Sequence, residues 1–174
     1  MKYLVKFFVV TFFLIVSTNA FAEQKIVVLD MKYVLNKSKA GKGGQDFLEK
    51  KFKDNAKKLN KMEKALKKEE SDLLKQKDVL SKDDYSKRTD ELRKKVIEYQ
   101  ALSRSSLDDL AKQRAEARKV MISKIEPIID SYINENNISL VLYKKNVIGG
   151  STEHDITNII VEKLNKEFPT LDLK

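Results

Sequence analysis

The amino-acid sequence predicts an α+β protein, predominantly helical, in which a small strand-rich, oligomerising body carries one long antiparallel helical hairpin per subunit. Three observations lead there. Residues 45–126 contain no Gly and no Pro and are rich in Lys, Glu, Leu, Arg and Ala, the composition of long helices. Apolar residues in that stretch recur every seven positions, as in a coiled-coil seam. Short β-branched runs flank it on both sides.

The 174 residues include 35 Lys plus Arg, 26 Asp plus Glu, one His, no Cys and no Trp. Disulfide frameworks, Cys metal sites and Cys nucleophiles are therefore excluded. At the N-terminus, Lys2 and Lys6 precede an apolar run over residues 7–16, and Ala20-Phe21-Ala22 places small residues where a signal peptidase reads,. A secretory signal cleaved after Ala22 is expected, because ten apolar residues fall well short of the roughly 20 that span a bilayer. The mature chain then starts at Glu23, and its basic surface faces envelope anions such as lipopolysaccharide or anionic membrane surfaces, with no nucleic acid as partner.

Each element follows in turn. Lys25-Ile26-Val27-Val28-Leu29-Asp30 reads as a buried strand, and residues 31–36 as a turn of helix. Ala40-Gly41-Lys42-Gly43-Gly44 lacks the spacing of a phosphate loop and reads as a hinge. In the first half of the arm Phe52, Leu59, Leu66, Leu73 and Leu80 are seven apart, with Leu48, Ala56 and Met62 between them. In the second half Tyr85, Leu92, Tyr99, Val96, Leu110 and Ala117 continue the seam, while Ser103, Ser106 and Gln113 interrupt it. Between the halves, Ser81 followed by Asp84 has the spacing of a capping box and predicts a tight reversal between two helices of roughly 35 to 40 residues; one unbroken helix of about 80 residues is the alternative, because no Gly or Pro enforces the turn. Pro127 should kink or restart the second helix, which Asn134, Asn136 and Asn137 close. Residues 138–143 read as a second strand, Val147-Ile148 as a third, and Gly149-Gly150 as a turn. Asp155 reads as the N-cap of a last helix with Ile156, Ile159, Ile160, Leu164 and Phe168 on one face, ended by Phe168-Pro169.

This divides the chain into a signal over residues 1–22, a body over 23–41 and 127–174, and an arm over 42–126. The body is too small to bury much surface alone. Its strands, with Ile26, Val27, Val28, Leu29, Leu140, Val141 and Leu142 as pairing residues, are expected to complete their edges against other copies of the chain. The arm holds 24 basic and 17 acidic residues, so several arms from one oligomer would enclose a positive space. No catalysis is expected: His154 stands alone beside Asp155, without a nucleophile or second base. The acidic groups Glu69-Glu70-Ser71-Asp72 and Asp108-Asp109 read as ion-pair partners. Neither a metal nor a cofactor is indicated.

The strand Lys25-Ile26-Val27-Val28-Leu29-Asp30-Met31 behind a signal, the arm residues Phe52-Lys53, Leu59, Lys61-Met62-Glu63 and Leu66, and the closing Ile138-Ser139-Leu140-Val141-Leu142 with Asp155-Ile156-Thr157 together resemble the Skp (OmpH) family of periplasmic chaperones. The resemblance runs over the mature chain in order; high Lys content and Pro127 depart from it. It implies a homotrimer, a β-barrel body built from strands of all three chains, and helical arms around a cavity that holds unfolded outer-membrane proteins without ATP. On that reading dispersed client contacts fall to Met62, Leu66, Leu73, Val79, Leu80, Tyr85, Val96, Tyr99, Leu102 and Leu107, with packing inside the hairpin as the alternative for each. Contacts with acidic clients or anionic surfaces fall to Lys75, Lys77, Lys82, Lys87, Arg88, Arg93, Lys94 and Lys95.

Overall fold

The computed structural model describes Tyr3 and residues 24–173; the expected signal and its cleavage after Ala22 lie, apart from Tyr3, outside the described residues. The element order is β1 (Lys25–Leu29), α1 (Met31–Lys37), α2 (Lys39–Lys75), α3 (Lys82–Glu135), β2 (Ile138–Tyr143) and α4 (Thr157–Glu167), with 3-10 turns at Lys144–Asn146 and Thr152–His154. The strands pair in parallel, Ile26 with Leu140 and Val28 with Leu142. Parallel strands need a crossover, and here the whole hairpin supplies it.

α1 and α2 are separated by Ser38, whose Oγ accepts the Gly41 N–H at 3.2 Å. Ser38 thereby caps α2, so the glycine cluster lies inside a helix and is not the expected hinge. No glycine has positive φ; the need is for space. A Cβ on Gly41 would sit 1.9 Å from the Leu35 carbonyl oxygen, and one on Gly44 would sit 3.0 Å from Leu171 Cδ2. The body can close on α2 only where these side chains are missing.

The reversal falls where the capping signal placed it. α2 ends at Lys75, Ser81 is the N-cap of α3, and its Oγ accepts the Asp84 N–H at 3.1 Å. The box is half formed, because the Asp84 carboxylate accepts the Ser81 hydroxyl at 2.6 Å. α3 does not restart at Pro127 but continues through it as one helix of 54 residues. Ile125 and Ile128 on either side are buried, and this packing outweighs the missing backbone bond. The helix stops at Asn136, whose side chain donates to the Tyr132 carbonyl at 2.9 Å, and at Asn137, which takes φ 51°, the left-handed conformation Asn tolerates at a helix end.

One core gathers Val27, Leu29, Val34, Leu35, Ala40, Met121, Ile125, Ile128, Ile138, Ile156, Ile160 and Leu164. Met121 and Ile125 come from the end of the expected arm nearest the body, so the core extends about two turns up α3. The last helix packs as expected through Ile156, Ile160 and Leu164, but Ile159 is 40% exposed. Its N-cap is Ile156 and not Asp155 as expected; Asp155 stands one residue earlier and its Oδ1 accepts the Thr157 N–H, at the first helical residue, at 2.9 Å. Val147-Ile148 forms no strand: it follows a 3-10 turn, and Ile148 is exposed. Gly149-Gly150 lies in irregular chain.

β1 is not buried on both faces. Val27 and Leu29 point into the core, whereas Ile26 is 41% exposed, and across the pair Leu140 is 48% and Leu142 38% exposed. Alternate residues of a strand face opposite sides, so the outer sheet face is apolar and uncovered within one chain.

Candidate functional site

The arm is an antiparallel pair, α2 against α3, registered by three ties. Lys51 Nζ lies 2.8 Å from Asp109 Oδ2, Lys95 Nζ 2.6 Å from Glu69 Oε1, and Arg88 Nη1 donates to Gln76 Oε1 at 2.6 Å. The hydrogen bond from Lys51 holds the Asp109 carboxyl below its ordinary range, and the bond to Glu69 raises the Lys95 ammonium above its own. Each tie is at the surface and contributes little alone; together they fix which residues lie level.

Between the ties runs the seam. On α2 the inward residues are Leu48, Asn55, Leu59, Met62, Leu66, Glu69 and Leu73; on α3 they are Tyr85, Thr89, Leu92, Val96, Tyr99, Ser103, Ser106, Leu110, Gln113 and Ala117. The α3 spacing alternates four and three without a break, as knobs-into-holes packing requires. Phe52 and Ala56, expected in the seam, are exposed, Phe52 at 53%. An undistorted helix drifts about 20° per heptad relative to a strict repeat, so the stripe through Leu59, Leu66 and Leu73 has rotated outward by Phe52 and Asn55 takes the inward place. Asn55 is level with Ser103 and Ser106, which makes a polar layer in the lower arm. Gln113 Oε1 is buried there without a hydrogen-bond partner among the described residues.

The structure distributes the residues assigned to clients. Met62, Leu66, Leu73, Tyr85, Val96 and Tyr99 belong to the seam, Leu73 fully buried and the others half-buried. Leu80 packs partly in the turn and Leu102 is half-buried at the seam edge. Val79 and Leu107 alone of the ten are exposed, at 84% and 57%. Four exposed arm residues lie outside that set: Phe47, Phe52, Leu74 and Ile97. Heptad phase was the signal that could have found Leu74 and Ile97, since both stand one residue after an inward position.

Of the basic set, Lys95 is tied to Glu69, Arg93 pairs with Asp90 at 3.1 Å, Lys75 approaches Asp72 at 3.9 Å, and Arg88 holds Gln76. Lys77, Lys82, Lys87 and Lys94 are exposed and make no ion pair among the described residues. A shallow groove between the helices near the tip is lined by Glu69, Asp72, Gln76, Arg88 and Glu91. It is mixed in charge and lacks the enclosure of a small-molecule site. Among the described residues no His, Cys, Asp or Glu cluster could hold a metal, and no helix is long and apolar enough to cross a membrane.

A two-stranded body from which a charged helical hairpin projects defines a class of protein that presents an elongated surface. The chain belongs to the family described as outer membrane protein (OmpH-like), which it matches over residues 25–164. It is 26% identical over 170 residues to a Skp-like protein of Pseudomonas aeruginosa, a match covering 95% of this chain and 99% of that one. Its fold superimposes with a TM-score of 0.82, at 18% identity and with 91% and 94% of the two chains covered, on a crystal structure described as a candidate outer membrane chaperone (OmpH-like) from Caulobacter crescentus CB15.

Proposed function

We propose that this chain is an ATP-independent holdase of the periplasm, which shelters unfolded outer-membrane proteins between the helical arms of a homotrimer until they reach the outer membrane. The observation that carries the reading is the pairing of an uncovered apolar sheet face with a projecting, weakly packed arm. Ile26, Leu140 and Leu142 leave a face on the body that other copies of the chain would cover, closing strands into a barrel. Assembly sets the arms around a common space. The polar layer at Asn55, Ser103 and Ser106 leaves the seam soft enough for an arm to bend around clients of different bulk. Many weak contacts from several arms hold a client by effective concentration, and a client that folds or inserts elsewhere is withdrawn by mass action. Lys77, Lys82, Lys87 and Lys94 near the tip give the arms an attraction for acidic clients, lipopolysaccharide or anionic membrane.

The test is dilution of a urea-denatured outer-membrane β-barrel protein into buffer with the mature chain. Suppression of light scattering without nucleotide is expected, with a solution mass of three chains. Leu140→Asp with Leu142→Asp should lower that mass and abolish suppression together. Unchanged aggregation of the client by the assembled wild type would overturn the reading and leave a structural envelope protein.

A further inference from the structure

The two flanks of the arm differ. With Leu59, Leu66 and Leu73 of α2 and Val96, Leu110 and Ala117 of α3 at heptad position a, the side chains that tie the hairpin together from Lys51, Arg88, Lys95 and Asp109 all stand at g. In an antiparallel pair g faces g, so these ties share one flank. Most exposed apolar residues stand on the other: Leu107 at e, Leu74 and Ile97 at b, with Phe52 at the seam edge turned outward, whereas Phe47, next to the body, stands at c on the tied side. Four of the five arginines, Arg93, Arg104, Arg114 and Arg118, also stand at e or b; the fifth, Arg88, is a tie. Arg104 and Arg114 are exposed and make no ion pair among the described residues.

We propose that this second flank, formed by Phe52, Leu74, Ile97, Leu107, Arg104 and Arg114, is the client-reading surface of the arm, and that it selects extended segments carrying aromatic and carboxylate side chains. The proposal rests on the holdase reading and adds to it the flank and the client chemistry. Arginine is the cation suited to both groups, because its planar guanidinium forms a fork on carboxylates and stacks on aromatic faces. The free arginines alternate along the arm with the apolar side chains. From the level of Arg114 to Leu74 the strip is about 40 Å long at 1.5 Å per residue, which matches about twelve residues of extended chain at 3.3 Å each. The tied flank lacks the pairing of free arginine with a run of apolar side chains: its exposed cations without an ion pair among the described residues, such as Lys58, Lys61 and Lys68, are lysines.

The assembled mature protein is tested on a urea-denatured outer-membrane β-barrel, with scattering read at low and at 0.5 M salt. Three variants are compared: Leu74→Ser with Ile97→Ser and Leu107→Ser; Arg104→Gln with Arg114→Gln; and, on the opposite half of α2, Lys58→Gln with Lys68→Gln. All substituted side chains are exposed, and far-UV circular dichroism with solution mass checks that fold and assembly persist. The apolar set should raise the chaperone concentration for half-suppression by about tenfold. The arginine pair should raise it by about threefold at low salt, converging with wild type at high salt where surface attraction is screened. The lysine pair should leave it unchanged. Twelve-residue peptides alternating Phe with Asp should compete with the client, and the same peptides with Lys for Asp should not. A wild type that fails to suppress removes the holdase reading itself. A wild type that suppresses, with the lysine pair as damaging as either flank set or with both peptides competing equally, overturns the assignment of the flank alone.

Discussion

Three glycines stand within four residues of one another in α2, and substituting each by Ala separates three physical effects. Gly43 has nothing within 4 Å of an added Cβ, so Gly43→Ala removes only the entropic penalty of a helical glycine and should stabilise by about 1 kcal/mol. For a chain of this size that raises the thermal midpoint by about 2–4 °C. At Gly44 the new Cβ lies 3.0 Å from the end of the Leu171 side chain and 3.7 Å from Leu173 Cδ1. Leu171 can rotate, so the helical gain and the displacement roughly cancel, leaving a change within about 1 kcal/mol. At Gly41 the obstruction is backbone, the Leu35 carbonyl oxygen at 1.9 Å and its carbon at 2.9 Å. Relief requires the end of α1 to lift from α2, which strips the buried Val34 and Leu35 from the core, and a loss of about 3 kcal/mol or more follows. Urea unfolding followed by circular dichroism, at one protein concentration because assembly adds to apparent stability, ranks the three. Gly41→Ala within about 1 kcal/mol of wild type, or a destabilised Gly43→Ala, would refute the close-approach argument.

Three further outcomes are checked in the same way. Ser81→Ala should cost about 1 kcal/mol and speed amide exchange in the first turn of α3, since the Asp84 N–H loses its acceptor,. Asn55→Leu with Ser106→Leu fills the polar layer with apolar side chains. It should raise stability by about 1–2 kcal/mol and narrow the spread of distances between spin labels at the arm tips, which the absence of native Cys makes simple to attach. Partial burial raises the Asp155 pKa, but hydrogen bonds from Lys144 and Thr157 outweigh it and hold the carboxyl below its ordinary range. A depressed folded-state pKa stabilises above the unfolded value near about 4 and is lost as pH falls through the folded value. Asp155→Asn should therefore be less stable than wild type at neutral pH, with the gap closing below about pH 4; a constant gap would show that the charge is irrelevant.

The arm was readable from sequence because its signals are local. A stretch without Gly or Pro, a seven-residue repeat and Ser81 three residues before Asp84 each act within one or two turns, and the structure places both helices and the reversal where they point. The glycine cluster and Pro127 were misread because tertiary packing decides them. Gly41 answers to Leu35 across a corner, and Pro127 is carried by Ile125 and Ile128, which are buried in one core with Val34, Ile160 and Leu164,. Phe52 shows a third limit. It keeps the seven-residue spacing from Leu59, yet slow rotation of the stripe around the helix moves it out of the seam, a geometric effect that spacing alone does not express. For the same reason six of the ten proposed contacts, Met62, Leu66, Leu73, Tyr85, Val96 and Tyr99, lie in the seam. The repeat that marks residues as apolar and periodic is the repeat that buries them.

The body explains how a soft arm can stand on a firm base. Asp155, Ile156 and Thr157 join three elements in a few bonds: Asp155 receives Lys144 at 2.7 Å and the Thr157 N–H, the Ile156 N–H reaches the Val28 carbonyl at 3.0 Å, and Thr157 Oγ1 accepts the Asp30 N–H at 2.9 Å. Asp30 in turn caps α1 by accepting the Tyr33 N–H at 2.8 Å. Strand, first helix and last helix are thus locked just below the point where α2 and α3 leave the core at Ala40 and Met121. Above it the seam mixes the buried apolar residues Leu48, Leu110 and Ala117 with the polar Gln113, Ser106, Ser103 and Asn55. Local stability falls where buried apolar contacts thin out, and above Leu110 the seam residues Leu59, Met62, Leu66, Val96 and Tyr99 are only half-buried until Leu73, so the arm is softer above its foot than at it. A loosely packed arm on a locked base lets a small opening of the seam above Leu110 produce a larger displacement at Val79, because the displacement grows with distance from the base.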